Sequence, residues 1–433
     1  MRFSKYLIPL ALTIAVVVSL TLSVVLWTNP ANYRNNKQQT AQSPQTQQMI
    51  KPKRYVYTPV QALHTNADGT QQIMVNKLVN TVTEVKKTMH NYQNPKIKTL
   101  SKNSKVDYFR IANQTDSIML NYSDTVSMRV VNYIVKNHFR KFPNYKINRI
   151  ILPTNNSTKL YLLYDKNFTV YEVDVKKRSL KPLKKVLKMD MRTQPASFKL
   201  LNNKPAVYVT TSVEMQPYKY LIDRQSDDYY VSRLLNTQDS TNVNVKRRRN
   251  MTIYGDQSSL QLMFNSRNRM GEFSDFRPNH NRKNLTSAIQ DSYKNVTKLG
   301  LPMDNVRFFS YDPNTRAIMY RTYVEGFPVF RTSGFGTVST RTLNSSAQRT
   351  IFSLDNLEVP LPSNKGYVSL PSTETMLKRL KDHGYNMKDL QKVRLGYTWK
   401  KDTTSPLLID LNPDWYIYYH KQWRSYTSLM NQY

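Results

Sequence analysis

The apolar residues of this chain fall into one long unbroken block and many short periodic ones. From Tyr6 to Trp27 no residue is charged. A helix of that length, at about 1.5 Å per residue, spans about 33 Å, enough to cross the hydrocarbon core of a bilayer. The block therefore predicts a transmembrane helix over 6–27. The apolar region of a cleaved signal peptide is shorter, about 7 to 15 residues, and ends in a small-x-small site. Here Trp27-Thr28-Asn29-Pro30 follows, so the segment reads as an uncleaved anchor. Arg2 and Lys5 mark 1–5 as a cytoplasmic stub. Long polar domains translocate largely regardless of their own charge, which puts the rest of the chain outside the cell.

Residues 28–54 are rich in Gln, Asn and Pro and nearly devoid of apolar side chains, the composition of a disordered tether. Periodic patterns begin near Tyr55. Between Gln71 and His90, Val75, Leu78, Val79, Val82, Val85 and Met89 recur at three- and four-residue steps and predict an amphipathic helix. A second helix is expected over 124–138, opened by Ser123-Asp124 and turning Val126, Val130, Tyr133 and Ile134 inward. Strands follow over 146–152, 159–164 and 168–175, the last two joined by a turn at Asp165-Lys166-Asn167. These elements make a first α+β unit over 55–190.

A middle unit, 191–283, shows a strand at 206–210, a short helix at 229–235, a hairpin of 250–254 with 260–264, and polar loops at 270–283. The last unit, 284–433, opens with a helix over 285–299 that Gly300 and Pro302 end. Strands at 306–310, 317–324, 327–331 and 336–342 precede a helix over 372–383 stopped by Gly384, then strands at 393–399 and 415–419. Pro328 must lie at an edge or bulge, because it cannot donate to a ladder. Leu411-Asn412-Pro413-Asp414-Trp415 reads as a core corner around a buried indole. The expected fold class is α+β: a single N-terminal transmembrane helix followed by about three extracellular α+β domains with antiparallel sheets.

Composition sharpens the functional reading. The 433 residues carry a net charge of +35 and no cysteine, which removes disulfides, a lipoprotein anchor and thiolate metal ligands together. Charge of this sign attracts polyanions, but an external domain meets anionic headgroups and wall polymers, not a genome, so no nucleic acid is expected as a partner. The densest basic cluster is Lys246, Arg247, Arg248 and Arg249. It can contact a polyanion or a membrane surface, although isolated charge runs usually just face water on a strand end or loop.

Six histidines, at 64, 90, 138, 280, 383 and 420, form no ligand-spaced pair, and no Gly-x-Ser-x-Gly elbow or phosphate loop occurs. Asp227-Asp228, read as part of a β-like alternation, would point to opposite faces and make no glycosidase pair. No enzyme, metal or cofactor is expected. In the predicted anchor, Ala11, Ala15, Ser19 and Ser23 recur every four residues and draw one stripe of small side chains. That stripe is either a face for close approach of a partner helix or simply a set of residues that an anchor tolerates.

Two segments resemble a known family. Leu20-Thr21-Leu22-Ser23-Val24-Val25-Leu26-Trp27 and, above all, Arg321-Thr322-Tyr323-Val324-Glu325-Gly326-Phe327-Pro328-Val329-Phe330 are similar to the YycH (WalH) family. On its own the second segment reads as a packing hairpin turning at Glu325-Gly326. The resemblance implies an accessory protein of the WalK (YycG) sensor histidine kinase, working with a sister protein, YycI, through membrane helices. It also implies that the last two domains are YycI-like. It does not imply the sign of the effect, since the family inhibits the kinase in some lineages and supports it in others. The leading expectation is a non-enzymatic regulator anchored in the cell membrane. The alternative is an extracellular cationic protein that binds anionic wall polymer.

Overall fold

The computed structural model describes residues 51–431, apart from 76–80, 136–141, 190–191, 236–242, 256–258, 278–283, 302, 304, 332–337, 344–346 and 363–364. Its first layer is a nine-stranded sheet, antiparallel throughout. The strand order is Lys96–Ser101, Thr169–Asp174, Lys159–Tyr164, Lys146–Pro153, Ser117–Ser127, Gln61–Thr65, Gln71–Val75, Arg192–Leu201, Lys204–Val209. In its central strands both faces are buried. Ala62, Met74, Ile118, Leu120, Ile150 and Leu152 join one core. Their neighbours Leu63, Ile73, Met119, Ile151 and Leu163 turn to another. Successive side chains of a strand point to opposite faces, so double burial converts alternation into unbroken apolar runs.

The second layer is a sheet of fourteen strands drawn from residues 218–425. It runs from an outer edge at Asn244–Arg248 through Met251–Gly255, Leu260–Asn265, Met270–Asp275, Ala347–Ser353 and Val338–Leu343 to Ala317–Val324. There it turns a corner: Ile318, Met319 and Tyr320 pair with 338–340, whereas Tyr323 and Val324 pair with Phe327–Arg331. Phe327–Arg331 then lies parallel to Leu390–Lys401, the one parallel pair among the described strands. Leu408–Tyr419, Tyr218–Arg224 and Asp355–Leu361 complete the row, with Val306–Asp312 and Gln422–Ser425 as side branches. Val213–Met215 and Val368–Leu370 form a separate small ribbon.

Several helices show the local chemistry that starts and stops them. Leu285–Lys298 opens with a reciprocal capping box between Asn284 and Ser287. It ends at Gly300, whose φ of +68° is the left-handed conformation glycine tolerates. Tyr229 Oη donates to Gly300 O at 3.0 Å, and Arg233 Nε donates to Lys298 O at 2.7 Å. Side chains of the helix Asp227–Leu234 thus satisfy carbonyls that a helix end leaves open. The buried face of Leu285–Lys298 meets the first layer: Tyr57 Oη donates to Ile289 O at 2.8 Å, and the Ser127 and Thr286 hydroxyls lie 2.6 Å apart. The described residues form one compact unit.

Some elements differ from the sequence expectation. The helix expected over 71–90 is a strand, Gln71–Val75, followed by a shorter helix, Thr81–Thr88. Ile73 and Met74 serve opposite cores there, which erased the strand signature. The helix expected over 124–138 is the end of the strand Ser117–Ser127, a 3-10 turn, and one helical turn, Val131–Ile134. Ser123 and Asp124 cap nothing; they stand in a bulge. Asp227 and Asp228 lie in the first turn of a helix, not on a strand. The loops expected at 270–283 include the strand Met270–Asp275. Arg192–Leu201 and Lys204–Val209, read with the middle unit, pair onto the first sheet.

Both proline expectations also need revision. Phe327–Arg331 is an interior strand, and Pro328 is accommodated because the parallel ladder starts one residue later, at Val329. Leu411–Trp415 is no corner but the middle of the strand Leu408–Tyr419. Pro413 fits because residues 412–415 have a ladder on one side only, between the ends of Tyr218–Arg224 and Gln422–Ser425. The indole of Trp415 is buried and donates to Pro371 O at 2.9 Å. Among the described residues no helix is long and apolar enough to cross a membrane. The predicted span, 6–27, lies outside them.

Candidate functional site

The two large sheets meet at a bulge. Along the ladder between Ser117–Ser127 and Lys146–Pro153, Asn121 faces Arg149 and the next pair is Val126 with Ile147, so residues 122–125 stand opposite Asn148 alone. Extra residues of this kind bend a strand and re-aim its side chains. Here they reach the second sheet. Ser123 Oγ donates to Phe308 O at 2.8 Å and lies 2.5 Å from Phe309 O. Asp124 accepts from the Tyr311 amide at 3.3 Å and pairs with Lys392 at 3.3 Å. Arg394 donates to Ser123 O.

Beside the bulge opens a cleft of about 740 Å³. Residues 58–62, 121–125 and 202–207 of the first layer line it, together with 323, 325–328 and 391–395 of the second. Six cations border it: Arg149, Lys166, Lys204, Arg307, Lys392 and Arg394. Three carboxylates accompany them: Asp124, Asp165 and Glu325.

Arg149 is the most constrained of the cations. Its guanidinium donates to both carboxylate oxygens of Asp165, at 3.1 and 2.8 Å, to Asn121 Oδ1 at 2.5 Å, and to Pro205 O at 3.2 Å. It also lies 4.4 Å from the centre of the Phe198 ring. Burial alone would lower its pKa, but Asp165 and Tyr108 outweigh burial and raise it. Arg149 is thus a paired structural ion whose hydrogen-bonding capacity is spent within the protein. Arg394 and Lys204 differ. Burial pulls both below their ordinary values; Asp124 works against that fall at Arg394, and Lys392 adds to it at Lys204.

One wall of the cleft is the hairpin that sequence singled out. Val324 pairs with Phe327 across Glu325-Gly326, with φ of +49° and +84°, the two positive values a tight two-residue hairpin turn requires. Behind it Arg321, wholly buried, lies between Phe309 and Phe330 at 4.5 and 4.2 Å from the ring centres, and Phe330 stacks on Tyr416 at 3.7 Å. Burial brings the Arg321 pKa down to about 9. Gly396 passes so close that a Cβ there would sit 2.7 Å from Pro328 O and 2.8 Å from the Phe330 ring.

The basic cluster that sequence proposed as a contact is not part of the cleft lining. Lys246, Arg247 and Arg248 lie on the exposed edge strand Asn244–Arg248, Arg249 in the turn after it, and none lines the cleft. Ala11, Ala15, Ser19 and Ser23 lie outside the described residues. Sequence reasoning passed over Asp124, Lys204, Arg307, Lys392 and Arg394. Their separation along the chain left no motif to find.

The chain is therefore an α+β protein built on two large, almost wholly antiparallel sheets that enclose a polar, basic cleft. Its sequence matches two adjoining families, the YycH protein N-terminal domain over residues 8–192 and the YycH protein C-terminal domain over residues 204–432. The chain belongs to the YycH family. The fold agrees: the crystal structure of YycH from Bacillus subtilis superposes with a TM-score of 0.68 at 14% identity, over 87% of this chain and 97% of that one. No curated protein matches the chain.

Proposed function

We propose that this protein is a non-enzymatic regulator of an essential cell-wall two-component system. It is anchored in the cell membrane by residues 6–27, with residues 1–5 cytoplasmic and the bulk of the chain outside. It acts on a WalK/YycG-like sensor histidine kinase through its membrane helix, beside a YycI-like sister protein. The observation that carries this reading is the family match across both halves of the chain, whose N-terminal part takes in residues 8–27 of the uncharged apolar block.

A helix confined to a bilayer recognises another by close packing, because lipid tails are as apolar as its own side chains. The small-residue stripe supplies such a face. Changing Ala15 and Ser19 together to Leu should block approach of the kinase helix and uncouple kinase output, while insertion stays normal because Leu favours the bilayer. At 3.6 residues per turn Val17 and Val24 fall on the opposite side, so Leu at both serves as the control. Photo-crosslinkers at positions 15 and 19 in intact cells should capture the kinase or its sister protein. A chimera with a foreign membrane helix that regulates as well as the parent would refute action through the helix.

A further inference from the structure

The cleft holds more positive charge than its own carboxylates neutralise. Asp165 is committed to Arg149, and Asp124 to Lys392. Glu325 accepts from Tyr218 Oη. Among the described lining residues, Lys166, Lys204 and Arg394 pair with none of the three acids, and Lys392 opposes the charge of Lys204. Crowding of this kind costs folding free energy that a bound anion returns.

The rest of the lining narrows the class of anion. Gln61, Asn203, Asn305 and Gln391 border the same space, as do Asn202, whose amide donates to Met387 O and Leu390 O, and Asn148, which is held by Thr125 and Asp165; the first four are the ones left to a ligand. An amide offers both donors and an acceptor, the complement of a hydroxyl, whereas lysine and arginine complement phosphate oxygens. A volume of about 740 Å³ lies within the range of pockets that enclose most of a drug-sized ligand, so it holds one or two polyol or sugar units.

We propose that this cleft binds a polyol or sugar phosphate, with Lys204, Lys392 and Arg394 holding the phosphate and the amide side chains reading the hydroxyls. The same chemistry is offered by a free phosphomonoester and by the phosphodiester of a lipid headgroup or polymer unit.

The test uses the full chain in detergent micelles and isothermal titration calorimetry. Probes are glycerol 3-phosphate, the diester glycerophosphoglycerol, and inorganic phosphate. Two variants are compared, Lys204→Gln with Lys392→Gln, and Ser at each of Lys246, Arg247, Arg248 and Arg249, which removes more charge away from the cleft. At least one glycerol ester should bind saturably with one site per chain. The cleft variant should lose about tenfold in affinity, which is about 1.4 kcal/mol, and the edge-strand variant far less. Lys204→Glu alone gives the same comparison should the double variant not fold. Tighter binding of the monoester identifies a free phosphate as the source, and tighter binding of the diester a lipid- or polymer-borne unit. The proposal is overturned if neither ester saturates at millimolar concentration, if inorganic phosphate binds equally well, or if both variants lose affinity alike.

Discussion

Lys86 offers a measurable test of how this fold handles buried charge. It lies in the helix Thr81–Thr88, 6% exposed, and its ammonium donates to Arg54 O at 3.1 Å and Thr58 Oγ1 at 3.3 Å. Burial, with the charges of Arg307 and Arg54 nearby, brings its pKa from 10.5 to about 8. A drop of about 2.5 units at 1.36 kcal/mol each costs about 3 kcal/mol of stability at pH 7. Lys86→Met keeps the aliphatic stem and removes that cost, but it gives up two hydrogen bonds of about 1 kcal/mol each. The variant should therefore be about 1 kcal/mol more stable than the parent at pH 7.

The pH dependence carries a definite sign. The folded-state pKa lies below the unfolded one, so between about 8 and 10.5 the unfolded chain binds more protons and the parent gains stability as pH rises. The variant has no such gain. Urea denaturation followed by circular dichroism at pH 7 and pH 10 should show its advantage at pH 7 reversed at pH 10, because there the parent lysine is neutral and keeps its hydrogen bonds. A variant less stable at pH 7, or a difference independent of pH, would refute the reasoning.

Two further expectations concern the second sheet. Gly396→Ala would drive a methyl group into Pro328 O, a backbone atom that cannot rotate away, and should lower stability by about 1–3 kcal/mol in the same denaturation assay. Asp414 has its pKa raised by burial to about 6, against hydrogen bonds from Thr427 and Ser425 that lower it. Its folded pKa lies above the unfolded one, so the parent loses stability as pH rises from about 4 to 6 and stays lowered above that. Asp414→Asn should accordingly gain most over the parent near pH 7.5 and lose that gain near pH 4; an equal effect at both would refute the assignment.

Much of the second layer was legible because its signals are local. Gly300 and Gly384 end helices at positive φ, and Glu325-Gly326 makes a tight turn. Each acts within a few residues of chain. The first sheet was legible only in part, since burial on both faces hides the alternation that marks a strand, as at Ile73 and Met74. The bulge at 122–125 was not legible at all: its reason is the second sheet, where Phe308, Tyr311, Lys392 and Arg394 meet it. The cleft followed the bulge into obscurity, because Asp124, Lys204, Arg307 and Lys392 come together only through that long-range contact.

The ten residues that carried the family resemblance now have a physical role. Arg321 and Phe330 lock the base of the hairpin against Phe309 and Tyr416, whereas Tyr323, Glu325, Gly326, Phe327 and Pro328 face the cleft. A buried guanidinium held between two rings is a packing device; it faces both rings and donates to Val329 O. The cleft cations are of another kind, spread over both sheets and set against one another. A ligand that touches both sheets stabilises their arrangement by RT ln(1 + [L]/Kd), whatever its own size. Coupling outward from the cleft therefore needs no new contact at a distance. It needs only that the bulge at Ser123 and Asp124, where the sheets are joined, be more favourable with the ligand bound than without it.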